Sequence, residues 1–305
     1  MVSASSSRRT DLADVHVVIN SYGREAWYVE RAIASVLRQV HRPAAIHFID
    51  QNDTPLVLSP ALRDEPLLRH HSFPDRRCSA ARNHVLQLVP FGWIAFADDD
   101  AHWRHDYSEQ LLDLLDRHRD VELFAGALFD EHTREFYSYR HKLGGDLSRF
   151  FGSKILYGAN FVIRAETFAA IRGYELRLGP GSAGHCAEET DLCWRVITRR
   201  HPALYAPNLA ILHPPMHTED ARVAARKAYR YGLGKGTLAA IWLFEKHHRY
   251  GLFEYLEMTL VPLGSLLRGL LRRDYRQLRI QPAQWWGRQV AFWTFPFRRG
   301  RASAP

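Results

Sequence analysis

Three consecutive aspartates, Asp98, Asp99 and Asp100, form the segment of this sequence with the most specific chemistry. Adjacent carboxylates repel one another unless a cation or bound protons offset their charge. Since alternate residues of an extended segment point to the same side, Asp98 and Asp100 can share one ion. Carboxylate oxygens are hard ligands that suit Mg²⁺ or Mn²⁺, and such an ion can bridge a diphosphate group. A solvated acidic loop is the alternative, but the apolar strand predicted just before the triplet favours a metal site.

Polar side chains also stand at the ends of three other predicted strands, in residues 20–25, 50–53 and 213–217. Ligands of an open α/β sheet bind beyond the carboxyl ends of its strands. None of these segments is informative alone. Together with the acidic triplet they predict one rim of carboxylates, amides and imidazoles around a nucleotide-sized site.

The elements that must position these groups alternate between strand and helix patterns, which predicts an α/β sheet. Residues 15–19 are apolar and β-branched, which is typical of a buried strand. Residues 29–40 repeat apolar side chains at helical spacing, and residues 45–49 form the next strand. Residues 93–97 form a strand that runs directly into the acidic triplet. Strand patterns stop near residue 217, and the rest of the chain has helical patterns.

Eight short motifs in a fixed order resemble family 2 glycosyltransferases, which have the GT-A fold. The resemblance covers about residues 14–235 and rests on the joint order of the motifs. It implies an α/β fold with a mostly parallel mixed sheet flanked by helices, followed by a helical C-terminal extension. The matching segments are Val17-Val18-Ile19-Asn20, residues 35–39, Asp50-Gln51-Asn52-Asp53, Ala81-Arg82-Asn83, Phe96-Ala97-Asp98-Asp99-Asp100, Gly158-Ala159-Asn160-Phe161, Arg172-Gly173-Tyr174 and residues 188–195.

The resemblance implies a metal-dependent, inverting, hexosyltransferase-like enzyme that moves a sugar from a nucleotide-diphosphate donor to a hydroxyl acceptor. The acceptor would be a glycan or a lipid-linked molecule, and the process glycan or polysaccharide biosynthesis. Mn²⁺ or Mg²⁺ would be the cofactor, because a divalent ion stabilises the charge on the leaving nucleoside diphosphate.

Site residues are implied by the same resemblance, position by position. Asp98, Asp100 and His213 would bind the metal, with His217 a competitor for the place of His213. The predicted acceptor side consists of Gly158, Asn160 and Trp194. The residues that would hold the nucleotide sugar are Asn20, Tyr22, Glu25, Asp50, Arg82, Asp98 and Asp99.

The catalytic base is predicted to be one of two glutamates that open a helix. Glu189 stands where the family usually has an aspartate, and its longer side chain leaves Glu188 as an open alternative. Inverting sugar transfer needs a carboxylate that takes the proton of the acceptor hydroxyl. A purely structural role is also open, because the helix macrodipole favours acids in the first turn.

The net charge of +8 calls for a negatively charged partner, and a phosphorylated substrate, an anionic lipid or nucleic acid would each qualify. Nucleic acid is not expected, because the sequence contains no recognised binding motif for it. Two alternatives stay open. A sugar nucleotidyltransferase would need a glycine-rich basic loop after the first strand, where residues 20–24 offer one glycine and one arginine. A non-catalytic carbohydrate-binding protein would keep its ligand after Asp100→Asn.

The predicted domains are a disordered tail over residues 1–12, a catalytic domain over 13–217 and a helical extension over 218–305. Residues 251–300 combine leucines, interrupted by Pro262 and Gly264, with tryptophans beside arginines. This composition suits either a membrane surface or an apolar stripe packed on the catalytic domain. Three cysteines without metal or disulfide spacing favour a reducing compartment, so we expect a cytoplasmic protein, with peripheral contact at the inner face of the membrane as an option.

Overall fold

Eight strands form one mixed sheet in a computed structural model that describes residues 11–215 and 220–298, with side chains as far as residue 295. The order across the sheet is β3-β2-β1-β4-β7-β6-β8-β5. The strands are β1 (Leu12–Ser21), β2 (Pro43–Asp50), β3 (Leu68–Ser72), β4 (Trp93–Asp98), β5 (His102–Trp103), β6 (Leu123–Asp130), β7 (Asn160–Arg164) and β8 (Ala203–His213).

Ten α-helices occur in the described residues, most of them in the connections between strands and at the end of the chain. They are α1 (Ala26–Leu37), α2 (Pro60–Arg63), α3 (Cys78–Asn83), α4 (Tyr107–Arg117), α5 (Tyr139–Leu143), α6 (Ala165–Ala170), α7 (Glu188–Thr198), α8 (Ala221–Ala240), α9 (Arg249–Arg272) and α10 (Tyr275–Arg298). The predicted α/β class, with a mixed sheet and a helical final third, is confirmed.

The pairing directions bring the carboxyl ends of six strands, β1, β2, β3, β4, β6 and β8, to one edge of the sheet. β1 is parallel to β2 and β4, while β7 is antiparallel to both β4 and β6. β6 is therefore parallel to β4, and β8 is parallel to β6. The register places Asn20 beside Asp98 and Asp130 beside His213. The strand ends that carry polar residues thus share one rim.

The core of the sheet region is apolar on both faces. Strands β2 and β4 bury nearly every side chain, and β1 buries six of its ten, as expected for strands covered on both sides. Helix α1 adds Val29, Ile33 and Val36, which recur at helical spacing and are almost fully buried. Burial of each such side chain stabilises the fold by about 1.5–3 kcal/mol. This packing fixes where the rim residues emerge.

The described residues divide into two compact units. The first, which holds the sheet, comprises residues 11–76, 80–173 and 192–215. The second comprises residues 77–79, 174–191 and 220–298. Helices α8, α9 and α10 form most of this second unit. Among the described residues, no helix combines the length and apolar character required to cross a membrane.

Two boundaries differ from the sequence expectations. β1 begins at Leu12, a fully buried residue inside the predicted tail, and residues 1–10 lie outside the described part of the chain. Helix α9 continues through Pro262 and Gly264, where the sequence predicts an interruption. A proline removes one backbone donor and disfavours helix in the residue before it, but packing of an amphipathic face outweighs these local costs in a long helix.

Candidate active site and metal centre

Three predicted metal ligands come together at the rim of the first unit. Carboxylate oxygens of Asp98 and Asp100 and a ring nitrogen of His213 all lie within 4.8 Å of one another. Asp98 ends β4 and His213 ends β8, so the parallel arrangement of β4, β6 and β8 positions them. Two carboxylates and one imidazole form a donor set that suits Mn²⁺ or Mg²⁺.

The orientation of His213 fits a cation at this place. Its Nδ1 lies 2.8 Å from the carbonyl oxygen of Pro214, which can only accept a hydrogen bond, so Nδ1 carries the proton. Its Nε2 lies 3.5 Å from Oδ1 of Asp100. In a neutral imidazole this places a lone pair against a carboxylate oxygen, which is unfavourable unless a metal ion or a proton lies between them.

Arg82 anchors Asp98 to the sheet. The guanidinium is almost completely buried and donates to Oδ1 of Asp98 at 2.7 Å and to Oδ1 of Asn20 at 3.0 Å. Asn20 in turn donates to Oε1 of Gln51 at 2.9 Å. These hydrogen bonds cross the ends of β4, β1 and β2. Three residues of the predicted nucleotide-sugar set are therefore one connected network.

Asp99 is not part of the Asp98–Asp100–His213 cluster. It accepts from the hydroxyl of Ser21 at 2.5 Å and from Arg24 at 3.3 Å. Burial raises the pKa of Asp99, opposed by the Ser21 hydrogen bond and the charge of Arg24. Arg24 also lies 2.9 Å from Oδ2 of Asp100. Arg24 thus offsets the negative charge of two of the three adjacent carboxylates.

Asp50 holds the turn after β2. Its two oxygens accept from the backbone of Asn52 and Leu56, the side chain of Asn52 and the ring of His70, at 2.6–3.0 Å. Burial alone would raise the pKa of Asp50, but these hydrogen bonds outweigh it and the pKa is lowered. The carboxylate is fully buried, so its contact with a nucleoside would run through the turn that it shapes.

Tyr22 and Glu25 lie in the segment that connects β1 to α1. Tyr22 is largely exposed, with the guanidinium of Arg76 5.2 Å from its ring centre. Glu25 is exposed at the start of α1 and accepts from the indole of Trp27 at 2.7 Å. Both side chains are accessible to a ligand at the rim.

Two predicted acceptor-side residues have other tasks. Asn160 is fully buried, where it accepts from Tyr107 at 2.8 Å and donates to the carbonyl groups of Ala127 and Leu209. Trp194 is also fully buried and donates to Ser153 at 2.7 Å. These two assignments are corrected to packing roles, because neither side chain has exposed surface to offer an acceptor.

The third acceptor-side residue, Gly158, lies in the turn before β7 and is buried. His217, the competitor for the place of His213, lies outside the described residues.

Glu188 and Glu189 open helix α7 and belong to the second unit. Glu188 is 3% exposed and its side chain lies against Gly179. Glu189 is half-buried and thus accessible. The residues just before the helix include His185 and Ala187 with φ of 59° and 76°. Such left-handed backbone costs about 1–3 kcal/mol in a non-glycine residue and concentrates at functional sites.

Sequence reasoning missed two arginines of the rim. Arg24 carries no motif of its own, although it lies within the polar segment after β1. Arg31, on the inward face of α1, donates to the backbone carbonyl of Asp100 at 2.9 Å and to Glu131 at 3.0 Å. Its helix position is compatible with any solvated arginine, so the sequence held no signal for this contact.

The model of the family described as "Glycosyl transferase family 2" matches residues 16–172. The matched segment spans β1 to α6 and includes Asp98 and Asp100. The chain belongs to glycosyl transferase family 2. This membership confirms the family that the order of the motifs indicates, and it leaves His213, Glu188 and Glu189 outside the matched segment.

A curated relative adds a more distant similarity. The glucosyl-dolichyl phosphate glucuronosyltransferase of Haloferax volcanii is 24% identical over 196 residues. That segment is 60% of this chain and 63% of the relative. The family 2 chain therefore spans less than two thirds of the relative's length.

Two solved structures share the fold at low sequence identity. One is the mannosyltransferase PcManGT from Pyrobaculum calidifontis in complex with GDP-Man and Mn²⁺, with 14% identity, a TM-score of 0.57 and coverage of 92% of this chain and 86% of that chain. The other is GalNAc-T7 with UDP, GalNAc and Mn²⁺, with 14% identity, a TM-score of 0.53 and coverage of 81% and 50%. The predicted GT-A fold is confirmed.

Proposed function

We propose that this family 2 member transfers a sugar from a nucleotide-diphosphate donor to a hydroxyl group, with inversion and with Mn²⁺ or Mg²⁺. The product would be part of a glycan or polysaccharide. The observation that carries the proposal is the Asp98–Asp100–His213 cluster at the strand-end rim of a GT-A fold. Both similar solved structures have Mn²⁺ and a nucleotide or nucleotide sugar in their names, which supports the same ligand classes here.

Each rim residue has a task in this proposal. A divalent ion held by Asp98, Asp100 and His213 would offset the negative charge that develops on the leaving nucleoside diphosphate. Arg82 keeps Asp98 in position, and Asn20 connects this pair to the end of β1. Tyr22 and Glu25 are the exposed groups that we assign to the nucleoside.

We assign the role of base to Glu189. In an inverting transfer, the acceptor oxygen forms a bond to the anomeric carbon while the bond from that carbon to the diphosphate oxygen breaks. The hydroxyl proton passes to a carboxylate during this step. Glu189 is accessible, whereas Glu188 is 3% exposed, which favours Glu189 for contact with an acceptor.

The acceptor class is proposed to be lipid-linked, with the protein at the cytoplasmic face of a membrane. The name of the Haloferax volcanii relative contains a dolichyl phosphate substrate, which supports this acceptor class. Helix α9 carries an exposed apolar face, and five exposed arginines lie between residues 268 and 279. Apolar residues beside arginines are typical of a segment that rests on an anionic membrane surface.

A binding experiment tests the proposed activity. Thermal unfolding would be followed with UDP, GDP, CDP and dTDP sugars, each with Mn²⁺ and with EDTA. We expect one donor class to raise the midpoint only when Mn²⁺ is present, because binding to the native state stabilises it. Asp100→Asn should remove this shift, while Asp113→Asn on the outer face of α4 removes the same charge and should keep it.

Two outcomes would contradict the proposal. A donor-dependent shift that persists in EDTA would exclude a metal-mediated site for the diphosphate. Release of pyrophosphate during turnover, in place of a free nucleoside diphosphate, would indicate a sugar nucleotidyltransferase.

A further inference from the structure

A cavity separate from the Asp98–Asp100–His213 cluster lies within the first unit. Its volume is about 670 Å³, which is in the range of small-molecule sites. Its ten lining residues come from the end of α1 and the two residues after it, from β5 and the two residues after it, from the ends of β6 and β8, and from the turn that follows β6. None of the ten is a metal ligand or a residue of the rim network described above.

The floor of this cavity is fixed by hydrogen bonds. The side chain of Gln39 donates to the carbonyl groups of Ser35 and Arg104, at 3.1 and 2.8 Å, and accepts from the backbone of Ser108 at 3.0 Å. The hydroxyl of Ser35 accepts from the backbone of Trp103 at 3.0 Å. Because these buried polar groups are satisfied by one another, the floor is rigid and does not depend on a ligand.

The lining is strongly basic. It contains Arg38, Arg104 and Arg134 with His102 and His105, and no acidic residue is among the ten described residues that form it. Arg104 is neutralised by Asp106, through contacts of 3.1 and 2.9 Å.

Arg38 and Arg134 differ from Arg104 in having no carboxylate within 4.0 Å among the described residues of the chain. Both arginines line the same cavity as His102, whose Nδ1 lies 3.8 Å from Oε2 of Glu131, outside the lining. Two uncompensated guanidinium groups beside a concave surface create a positive potential that favours anions.

We propose that this cavity is a binding site for a small phosphorylated ligand with at least two negative charges, distinct from the donor site. Guanidinium groups bind phosphate oxygens through paired, charge-assisted hydrogen bonds, and Arg38 and Arg134 are free to do so. Two charges on the ligand balance the two unpaired arginines. The proposal rests on the cavity alone and is independent of the proposed sugar transfer.

Isothermal titration of the full chain with inorganic pyrophosphate tests the site. EDTA is present throughout, so that a metal-dependent complex at the Asp98–Asp100–His213 cluster does not contribute. We expect saturable binding that weakens about tenfold or more in the double variant Arg38→Gln/Arg134→Gln, since charge-assisted hydrogen bonds are stronger than those between neutral groups. Both arginines are exposed, so the variant should fold, and a thermal unfolding curve checks this.

The matched control is Arg117→Gln/Arg119→Gln, which removes two exposed arginines at the end of α4. It should bind pyrophosphate with unchanged affinity. Equal weakening in both double variants would mean a general charge effect and would overturn the proposal. So would the absence of binding to the original protein, or loss of binding in Arg24→Gln while the cavity variant binds normally.

Discussion

At the scale of single residues, Arg82 contributes to the strand-end rim in two ways. It places a buried positive charge next to Asp98, and it supplies donors to Asn20. A buried guanidinium is tolerated only when its donors are satisfied, so the pair stabilises the rim as well as shaping it. The predicted metal ligand on β4, Asp98, is therefore held in position by Arg82, which is not itself part of the Asp98–Asp100–His213 cluster.

Arg82→Met should lower the free energy of unfolding by about 2 kcal/mol, because it leaves the half-buried acceptors of Asn20 and Asp98 without their buried donor. Urea unfolding measures this change. Arg76→Met is the control: Arg76 and its partner Asp53 are both mostly exposed, so we expect a change below about 0.5 kcal/mol. Equal effects of the two substitutions would contradict a special role of Arg82.

Buried histidines give the stability a pH dependence. His141 is almost fully buried, accepts from the backbone of Leu128 and lies 3.1 Å from the carbonyl of Ile155. Burial lowers its pKa from 6.5 to about 4, and burial together with neighbouring positive groups does the same for His47. Each folded pKa lies below the unfolded value, so the unfolded state binds protons first as the pH falls. The contribution of these two histidines to the free energy of unfolding is therefore fully present above pH 6.5 and is lost as the pH falls toward 4.

His141→Gln tests this dependence, because glutamine can keep one donor and one acceptor but has no proton to gain. The original protein should lose about 3 kcal/mol between pH 6.5 and pH 4 through His141 alone. The variant should show a flatter curve of unfolding free energy against pH in that interval. His132→Gln, at an exposed position, should leave the curve unchanged. An unchanged slope in His141→Gln would contradict the assignment.

Some features of single residues could be predicted from the sequence, and others could not. The proximity of Asp98 and Asp100 could be predicted, because alternate residues of an extended segment point to the same side. The ion between them stays a prediction. Asn160 and Trp194 could not be assigned, because a motif fixes a position along the chain and not the direction of its side chain. Arg24 and Arg31 reach the rim only through the way β1 and α1 pack, which no local pattern contains.

At the scale of elements, three glycines determine how α8 and α10 approach each other in the second unit. A Cβ atom at Gly232, Gly236 or Gly287 would overlap a backbone carbonyl oxygen of the facing helix. The helices therefore pack backbone to backbone along this line. Gly264 in α9 has open space around its Cα, so it serves as a comparison at which only helix propensity changes.

Gly236→Ala should lower the free energy of unfolding by about 1–3 kcal/mol, because an added methyl group must push the carbonyl of Arg288 away. Gly264→Ala should leave stability unchanged or raise it by up to about 1 kcal/mol, since alanine is the better helix former. Urea unfolding of both variants measures the difference. Stabilisation by both substitutions would show that α8 and α10 do not pack this closely.

Long periodic elements could be predicted, and short or irregular ones could not. The strand before the acidic triplet and the helix after it have clear patterns. β5 has only two residues and exists because it pairs with β8, so no window of sequence reveals it. Considered alone, Pro262 predicts that the helix breaks. Helix α9 nevertheless continues through it, because packing along the helix outweighs the local preference of proline against helix.

At the scale of the whole molecule, the charge of +8 is unevenly distributed along the sequence. Arginines of the first unit pair with aspartates at the rim, as Arg24 and Arg82 do. In the second unit, exposed arginines cluster around the turn between α9 and α10, next to exposed leucines. Arginines beside carboxylates serve a site, whereas arginines beside apolar residues suit the surface of an anionic bilayer.

The exposed face of α9 has the spacing of an interfacial helix. Its leucines recur every three or four residues, so they share one side of the helix, and each is at least 44% exposed. A monomeric soluble protein rarely leaves such a contiguous apolar surface uncovered. Trp286 and Trp293 on α10 add exposed aromatic rings, which favour the headgroup region. The leucines of this face are Leu252, Leu256, Leu260, Leu263, Leu267 and Leu270.

Replacement of Leu256, Leu263 and Leu267 by asparagine should weaken binding to vesicles of phosphatidylglycerol and phosphatidylcholine by tenfold or more, since each buried leucine contributes about 1.5–3 kcal/mol. Cosedimentation measures the bound fraction, and higher salt should lower it because the arginines also attract the surface. The matched control replaces three exposed apolar residues of the first unit, Val57, Phe91 and Leu143, by asparagine. Control protein should sediment like the original. If both triple variants sediment equally, or if neutral vesicles bind as well as anionic ones, α9 is not the membrane-facing surface that its leucines and the adjacent arginines indicate.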